Sequence, residues 1–169
     1  MDCSNDEGLL QDLMAKKQGD VCGIEYVLAE EKLNLIRREL KHGTIIYSHW
    51  VKGMAELLTE NIRQWGFSVE SYNGQSGNRD GRKDIIDKFL DGDIDVLVCS
   101  KPISTGIDGL QYKCNKMIIV SLPWTDADYT QLKGRIYRQG SRFKRVEFVI
   151  PQVVLKNEKN DIYDCLLSA

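Results

Sequence analysis

Between Lys133 and Arg145 the chain carries Lys133, Arg135, Arg138, Arg142, Lys144 and Arg145 and no acid. Arginine offers a planar, permanently charged fork that matches phosphate oxygens, so this run is a candidate anion-binding surface. It also reads as a solvated basic face, which is what most charge runs are. Arg135 and Arg138 share one face if the segment is helical, and a helix ending in Gly140 leaves both forks near its C-terminal end. A second stretch, Ser100 to Gln111 (S-K-P-I-S-T-G-I-D-G-L-Q), combines the hydroxyls of Ser100, Ser104 and Thr105 with Gly106, Gly109 and the acid Asp108. Hydroxyls and exposed backbone N–H groups at a strand end grip phosphate oxygens, and glycine lets backbone approach a ligand closely. An Asp beyond a parallel strand commonly accepts from a ribose hydroxyl. The plain alternative is an ordinary Ser/Gly turn. The loop Asn73 to Arg82 is likewise either a flexible turn or a contact to a nucleic-acid backbone. A lone histidine at the position of His49 is more often a structural hydrogen-bonder than a catalyst. Trp50 could stack on a base but reads better as a cap on a sheet.

These residues need elements to hold them. Residues 24–41 read as a helix, with Leu28, Leu33, Ile36 and Leu40 recurring among Glu and Arg and Gly43 as a stop. Thr44 to Ser48 is a short buried strand. Lys52 to Trp65 is an amphipathic helix that Gly66 ends, with Met54, Leu57, Leu58 and Ile62 on one side. Phe67 to Tyr72 alternates as a strand. Asp80 to Leu90 is a helix with D-G-D as its exit turn. Ile94 to Cys99 and Lys116 to Ser121 are strands. Asp126 to Tyr137 is a helix whose start has capping-box spacing at Thr125 and Asp128 after a Pro-Trp turn. Val146 to Ile150 is the last strand. A short helix over Leu9 to Lys17 is one option for the N-terminus, linker sequence the other, and the tail from Asn157 to Leu167 is predicted helical. Strand-helix-strand alternation implies crossover connections and a parallel sheet covered on both faces. Ligands of such folds lie beyond the carboxyl ends of the strands, here the loops after Ser48, Tyr72, Cys99 and Ser121.

At 169 residues the chain is one domain by length. Its 42% hydrophobic and 28% charged fractions are those of a globular protein, and a net charge of −2 means that any phosphate binding comes from local clustering. No apolar run reaches the roughly 18 residues of a membrane span. The polar, acidic start M-D-C-S-N-D-E-G does not read as a secretory signal. Five cysteines without a C-x-x-C pair, and two histidines, argue against structural zinc and suit a reducing cytoplasm or nucleus. No metal ligands are assigned.

Taken in order, four stretches resemble the C-terminal RecA-like lobe of a superfamily 2 helicase or translocase over about residues 28–152. I-I-Y-S-H-W-V resembles motif IV. Y-N-G-Q-S-G-N-R-D-G-R-K-D-I-I-D-K-F resembles the stretch that comes after it in the family. V-L-V-C-S-K-P-I-S-T-G-I-D-G-L-Q resembles motif V, and Q-L-K-G-R-I-Y-R-Q-G-S resembles motif VI. The L-P-W-T turn with Gln131, Arg135, Arg138 and Gly140 is most similar to the Swi/Snf-like DNA translocases. Tyr137 stands where that group usually has His, Ser141 where it has Gln, and S-T-G-I-D is more like DEAD-box proteins.

The resemblance implies a three-layer, RecA-like (P-loop NTPase-type) α/β fold with a mostly parallel central sheet. Residues 24–155 would be the lobe, 1–23 an extension or linker, and 156–169 the tail. It implies an ATP-binding, DNA-binding hydrolase lobe, with RNA as the alternative nucleic acid. Arg138 would be the arginine finger, Arg135 a second phosphate-reaching arginine and Gln131 a positioning residue. Asp108 would contact the ribose or link the cleft to the nucleic-acid side, and Gly106 would lie at the nucleotide; Ser48, Gly74, Ser100, Lys101 and Thr105 would line the track of one strand's phosphates. The sequence contains no G-x-x-x-x-G-K-[S/T] loop and no D-E-x-H or similar acidic motif after a strand. ATP with Mg2+ would therefore be held mainly by an N-terminal RecA-like lobe, the implied partner, and the chain alone would be inactive. A non-catalytic nucleic-acid- or protein-binding adaptor is the rival reading, and two retained arginines argue against it. A flavodoxin-like nucleotide domain would need glycine directly after the first strand, where S-H-W-V-K has none.

Overall fold

The computed structural model describes residues 17–18, 21–49, 53–74, 79–104, 107–156 and 161–163, with backbone alone at 17–18, 21–30, 79, 102, 104, 154–156 and 161–163. Five strands form one parallel sheet: β3 (Thr44–Tyr47), β4 (Val69–Tyr72), β5 (Val96–Cys99), β6 (Lys116–Ile119) and β7 (Glu147–Val149), in the order β4-β5-β3-β6-β7. Before it come β1 (Lys17–Gln18) and β2 (Val21–Cys22), an antiparallel pair, and helix α1 (Gly23–Glu39). Helices α2 (Met54–Gln64), α3 (Arg79–Asp91), α4 (Leu110–Lys113) and α5 (Asp126–Lys133) fill the crossovers. Beyond β7, β8 (Val154–Lys156) and β9 (Asp161–Tyr163) pair antiparallel.

Period-two alternation divides the strands between two cores. Ile45, Tyr47, Leu97, Cys99, Met117 and Ile119 point to one face, where Phe89 of α3, Leu110 of α4 and Leu132 of α5 pack. Ile46, Val96, Val98 and Ile118 point to the other, against Ile36 of α1 and Leu58 and Ile62 of α2. The sheet is therefore the middle of three layers, and its central strands β3, β5 and β6 are buried at every position because neither face meets water there.

The two edges of the sheet differ. At the amino edge Lys116 reaches Glu39 Oε2 at 2.7 Å and Glu147 Oε2 at 3.3 Å, tying α1 to β6 and β7. Its two carboxylates outweigh its burial and raise its pKa, Glu39 contributing most. Glu147 is lowered in return, by its hydrogen bond and charge contact with Lys116. Asp95 accepts from the Ser68 N–H at 2.9 Å and pairs with His42 Nδ1 at 2.5 Å. Burial alone would raise this carboxyl, but the Ser68 and His42 contacts hold it below the usual range.

Two predicted elements change. The helix expected over 126–137 stops at Lys133. Its start is as read, with Thr125 Oγ1 accepting from the Asp128 N–H at 3.1 Å. At its end the backbone tightens, with Arg135 N–H bonding Leu132 O at 3.1 Å and Ile136 N–H bonding Lys133 O at 3.2 Å. Such i→i+3 bonds draw in a final turn, and here they drop Ile136 fully into the core. Arg135 and Arg138 thus sit on a turn beyond the helix rather than along one helical face. In the tail, where a helix was expected over 157–167, residues 161–163 form β9, because Ile162 and Asp161 pair across to Leu155 and Lys156. The rest of that helix, and most of the one considered over Leu9 to Lys17, lie outside the described residues; Lys17 itself is in β1.

Candidate functional site

The parallel register sets Tyr47 of β3 beside Cys99 of β5 and Ile119 of β6, so their carboxyl ends finish level. The chain runs from β5 past β3 to β6, and neighbours of the central β3 leave in opposite directions of the strand order. In open parallel sheets this is where a crevice forms. Here the residues after the strands are hydroxylic: Ser48 after β3, Ser100 after β5 and Ser121 after β6, each less than a tenth exposed. The Ser48 and Ser121 hydroxyls lie 3.5 Å apart, and Ser121 Oγ accepts from the His49 N–H at 2.8 Å. Ser100 Oγ is buried with no hydrogen-bond partner among the described residues. Such an atom costs desolvation free energy that a bound acceptor or donor would recover. Lys101 comes next, exposed, with Nζ 4.0 Å from Asp128 of α5.

The loop after β5 is pinned by its apolar residues. Ile107 and Leu110 are buried, so the acid between them, Asp108, is driven outward. Gly109 turns the chain at φ +96°, where an added Cβ would also meet Leu90 at 3.2 Å. The turn beyond α5 closes on this loop. Arg135 donates from Nη1 to the Ile107 carbonyl at 3.2 Å, and Arg138 pairs with Asp108 Oδ1 at 2.5 Å. Ser141 Oγ donates to the Gln111 carbonyl at 3.1 Å.

The residues predicted from sequence fall into four groups. Arg135, Arg138 and Asp108 are brought together. Ser48, Ser100 and Lys101 line the same carboxyl edge, though Ser48 is buried against Ser121 rather than open. Gly74 is exposed just past β4, and Gln131 is exposed on α5. Thr105, Gly106 and Trp50 lie outside the described residues.

Sequence reasoning passed over Lys32 and used Trp124 only as part of the L-P-W-T turn. Lys32 of α1 is 4% exposed and donates to the Val120 carbonyl at 3.1 Å, placing a cation under this edge. Its signal was a lysine one turn before Ile36 on an otherwise apolar face. Trp124, of the Pro-Trp turn, donates from Nε1 to His49 Nε2 at 2.5 Å with the rings edge-on. Burial, aided by the Lys101 charge, lowers the His49 pKa, while Asp128 opposes it. A neutral ring accepting at Nε2 carries its proton on Nδ1. His49 thus makes hydrogen bonds through both its backbone N–H and its ring. Trp124 keeps 60% of its surface exposed.

No group of three or more His, Cys, Asp or Glu among the described residues could hold a metal ion, and none of their helices is long and apolar enough to cross a membrane.

Residues 28–140 match the family model described as the helicase conserved C-terminal domain. A Dictyostelium discoideum protein named "Probable ATP-dependent RNA helicase ddx1" is 33% identical over 101 residues, 59% of this chain and 12% of that protein. The chain therefore spans about an eighth of that relative's length. Among solved structures, the C-terminal part of the Fun30 ATPase domain superposes with a TM-score of 0.57 at 22% identity, covering 88% of this chain and 47% of that one. The C-terminal domain of S. cerevisiae Dbp5 gives 0.58 at 20% identity over 72% of this chain and 70% of its own. A DEAD box protein from Methanococcus jannaschii gives 0.59 at 23% identity, over 73% and 34%.

Proposed function

The chain belongs to the helicase conserved C-terminal domain family and has the RecA-like fold of its structural neighbours, and from that premise we propose that it is the second motor lobe of an ATP-driven DNA helicase or translocase. The observation that carries the reading is the convergence of Arg135 and Arg138 on the loop after β5, at the carboxyl edge of the sheet. Arg138, half exposed, would be the finger that offsets charge on a transferring phosphoryl group. Arg135 would reach a neighbouring phosphate oxygen, and Gln131 would position groups at the same cleft. Asp108 would contact the ribose, and Gly106 would belong to the same nucleotide-binding loop. When bound between two lobes, ATP with Mg2+ supplies the phosphoryl group that is transferred. The guanidinium forks of this chain fit its phosphates; a phosphate loop and a magnesium-binding acid would come from an N-terminal lobe, the proposed partner.

The nucleic-acid track would be Ser48, Gly74, Ser100, Lys101 and Thr105. The Ser100 hydroxyl, buried with no hydrogen-bond partner among the described residues and beside an exposed lysine, supports it. Backbone contacts of this kind position a strand without reading its sequence. The Pro-Trp turn and the spacing of Gln131, Arg135 and Arg138 favour a Swi/Snf-like branch and DNA. Single-stranded RNA is the second reading, favoured by the S-T-G-I-D stretch and by the RNA-helicase name of the Dictyostelium relative.

The test is a protein that carries both lobes. Arg138→Ala should lower ATP turnover by roughly 10³-fold or more while nucleotide binding is retained; normal turnover would rule out the finger. Duplex DNA should stimulate turnover more than single-stranded RNA, and the reverse ranking would favour the RNA branch.

A further inference from the structure

Arg138 already holds an anion, and the anion belongs to the same lobe. Its guanidinium pairs with Asp108 Oδ1 at 2.5 Å. Two further bonds keep the partners in register: Arg135 to the Ile107 carbonyl, and Ser141 to the Gln111 carbonyl. Residues 107–111 and 135–141 are thereby clasped at three points. Ile107, Leu110 and Ile136 anchor both sides in the core, so the clasp does not depend on the Asp108 contact for its position. Asp108 itself is 81% exposed and Arg138 50% exposed.

We propose that Asp108 is a positioning residue that occupies the fork of Arg138 until a phosphate displaces it. The inference rests on the reading of Arg138 as a phosphate-binding arginine. A carboxylate and a phosphate compete for the same planar fork. An exposed ion pair shifts an equilibrium by at most about five-fold, so the carboxylate can be displaced by a polyanion. The exchange has two effects. Without a bound phosphate, the pair holds the long Arg138 side chain in one place, near where it is used. With phosphate, the freed carboxylate is left beside the incoming anion, available to a hydroxyl donor. Because the loop bearing Asp108 begins at Ser100 and Lys101, a strand held there would bear directly on how firmly Arg138 is held.

The decisive measurement is a double-mutant cycle on the 169-residue chain, with inorganic tripolyphosphate as the probe and backbone amide shifts of residues 135–141 as the readout. Asp108→Asn should bind tripolyphosphate about three-fold more tightly than the unmodified chain. Asp108→Glu, which keeps the charge, should not. In an Arg138→Ala background the gain from Asp108→Asn should vanish, since a residue acting through Arg138 cannot act without it. A gain that persists without Arg138 would mean only that a negative charge was removed from the neighbourhood, and would overturn the proposal. So would equal binding by Asp108→Asn and the unmodified chain, or no tripolyphosphate-dependent shift in either. Amide spectra of each variant report whether it is folded. The reading of Arg138 as a finger fails separately, through unchanged turnover of Arg138→Ala in a two-lobe protein.

Discussion

The two edges of the central sheet use charge in opposite ways. At the amino edge Lys116, which begins β6, is met by Glu39 and Glu147, and Asp95, just before β5, by Ser68 and His42. At the carboxyl edge the Ser100 hydroxyl has no partner among the described residues, Lys101 is 4.0 Å from Asp128, and Arg138 is held by one exposed carboxylate. Both edges are made by the same strands with the same register. The difference lies in the segments joined to the strand ends: helix ends and short turns on one side, the long loops after β3, β5 and β6 on the other. Satisfied polar groups stabilise one packing, whereas unsatisfied or exchangeable ones leave interactions for a ligand to complete.

If the edges are divided in this way, substitutions should sort by edge. The largest effect belongs to Arg138→Ala, whose roughly 10³-fold loss of turnover in a two-lobe protein should leave the stability of this lobe within about 0.5 kcal/mol. A urea midpoint that fell markedly would mean that the pair with Asp108 is structural. Next is Lys116→Ala, which leaves Glu39 and Glu147 facing each other without their cation. Their partial exposure softens the penalty, and a loss on the order of 1–2 kcal/mol in urea unfolding is expected; nucleic-acid affinity should not change. Smaller is Ser100→Ala, which removes a buried hydroxyl without a described partner. Stability should stay level or rise by up to about 1 kcal/mol, while nucleic-acid binding weakens. Loss of stability together with unchanged binding would place Ser100 with the structural group.

Acid should act through the amino edge as well. The Asp95 and Glu147 carboxyls are lowered in the folded protein. Their contribution is present above the ordinary carboxylate range near pH 4 and is lost as pH falls through their lower folded values. Lys116 is raised, so its contribution is present below its ordinary value near 10.4 and is lost as pH rises through the folded one. A urea-midpoint profile should therefore be flat between about pH 5 and 10 from these groups and fall on the acid side. In Lys116→Ala the part of the acid fall that comes from Glu147 should shrink. Salt should act through the carboxyl edge: nucleic acid held by this lobe should be released as ionic strength rises, with unfolding midpoints little changed.

Much of the scaffold was legible because burial leaves a period in the residues. T-I-I-Y and V-L-V-C are apolar at nearly every position, as strands covered on both faces must be, and α2 shows its buried Met54, Leu57, Leu58 and Ile62 at helical spacing. Thr125 announced the start of α5 through its own side chain. The end of α5 was not legible. Leu132 and Ile136 are four apart, which suits a continuing helix as well as the tight turn that is formed. The depth of the core beneath Ile136 decides between them. Lys116 was equally misleading, since a lysine beginning an apolar strand gives no sign of the two carboxylates brought to it from residues 39 and 147.

By itself, the sequence determined the alternation of strands and helices, the chemistry available after each strand, and the order of the motifs. These depend on residue type, local period and chain order, which are properties of neighbours along the chain. Only the tertiary structure decided which of those groups meet. The strands β3, β5 and β6 finish level because their parallel register is set by packing on two faces. That register carries Asp108 to Arg138, Trp124 to His49 and Lys32 to Val120 across 30, 75 and 88 residues of chain. Contacts at such separations are chosen by the whole core, so no local pattern could have announced them.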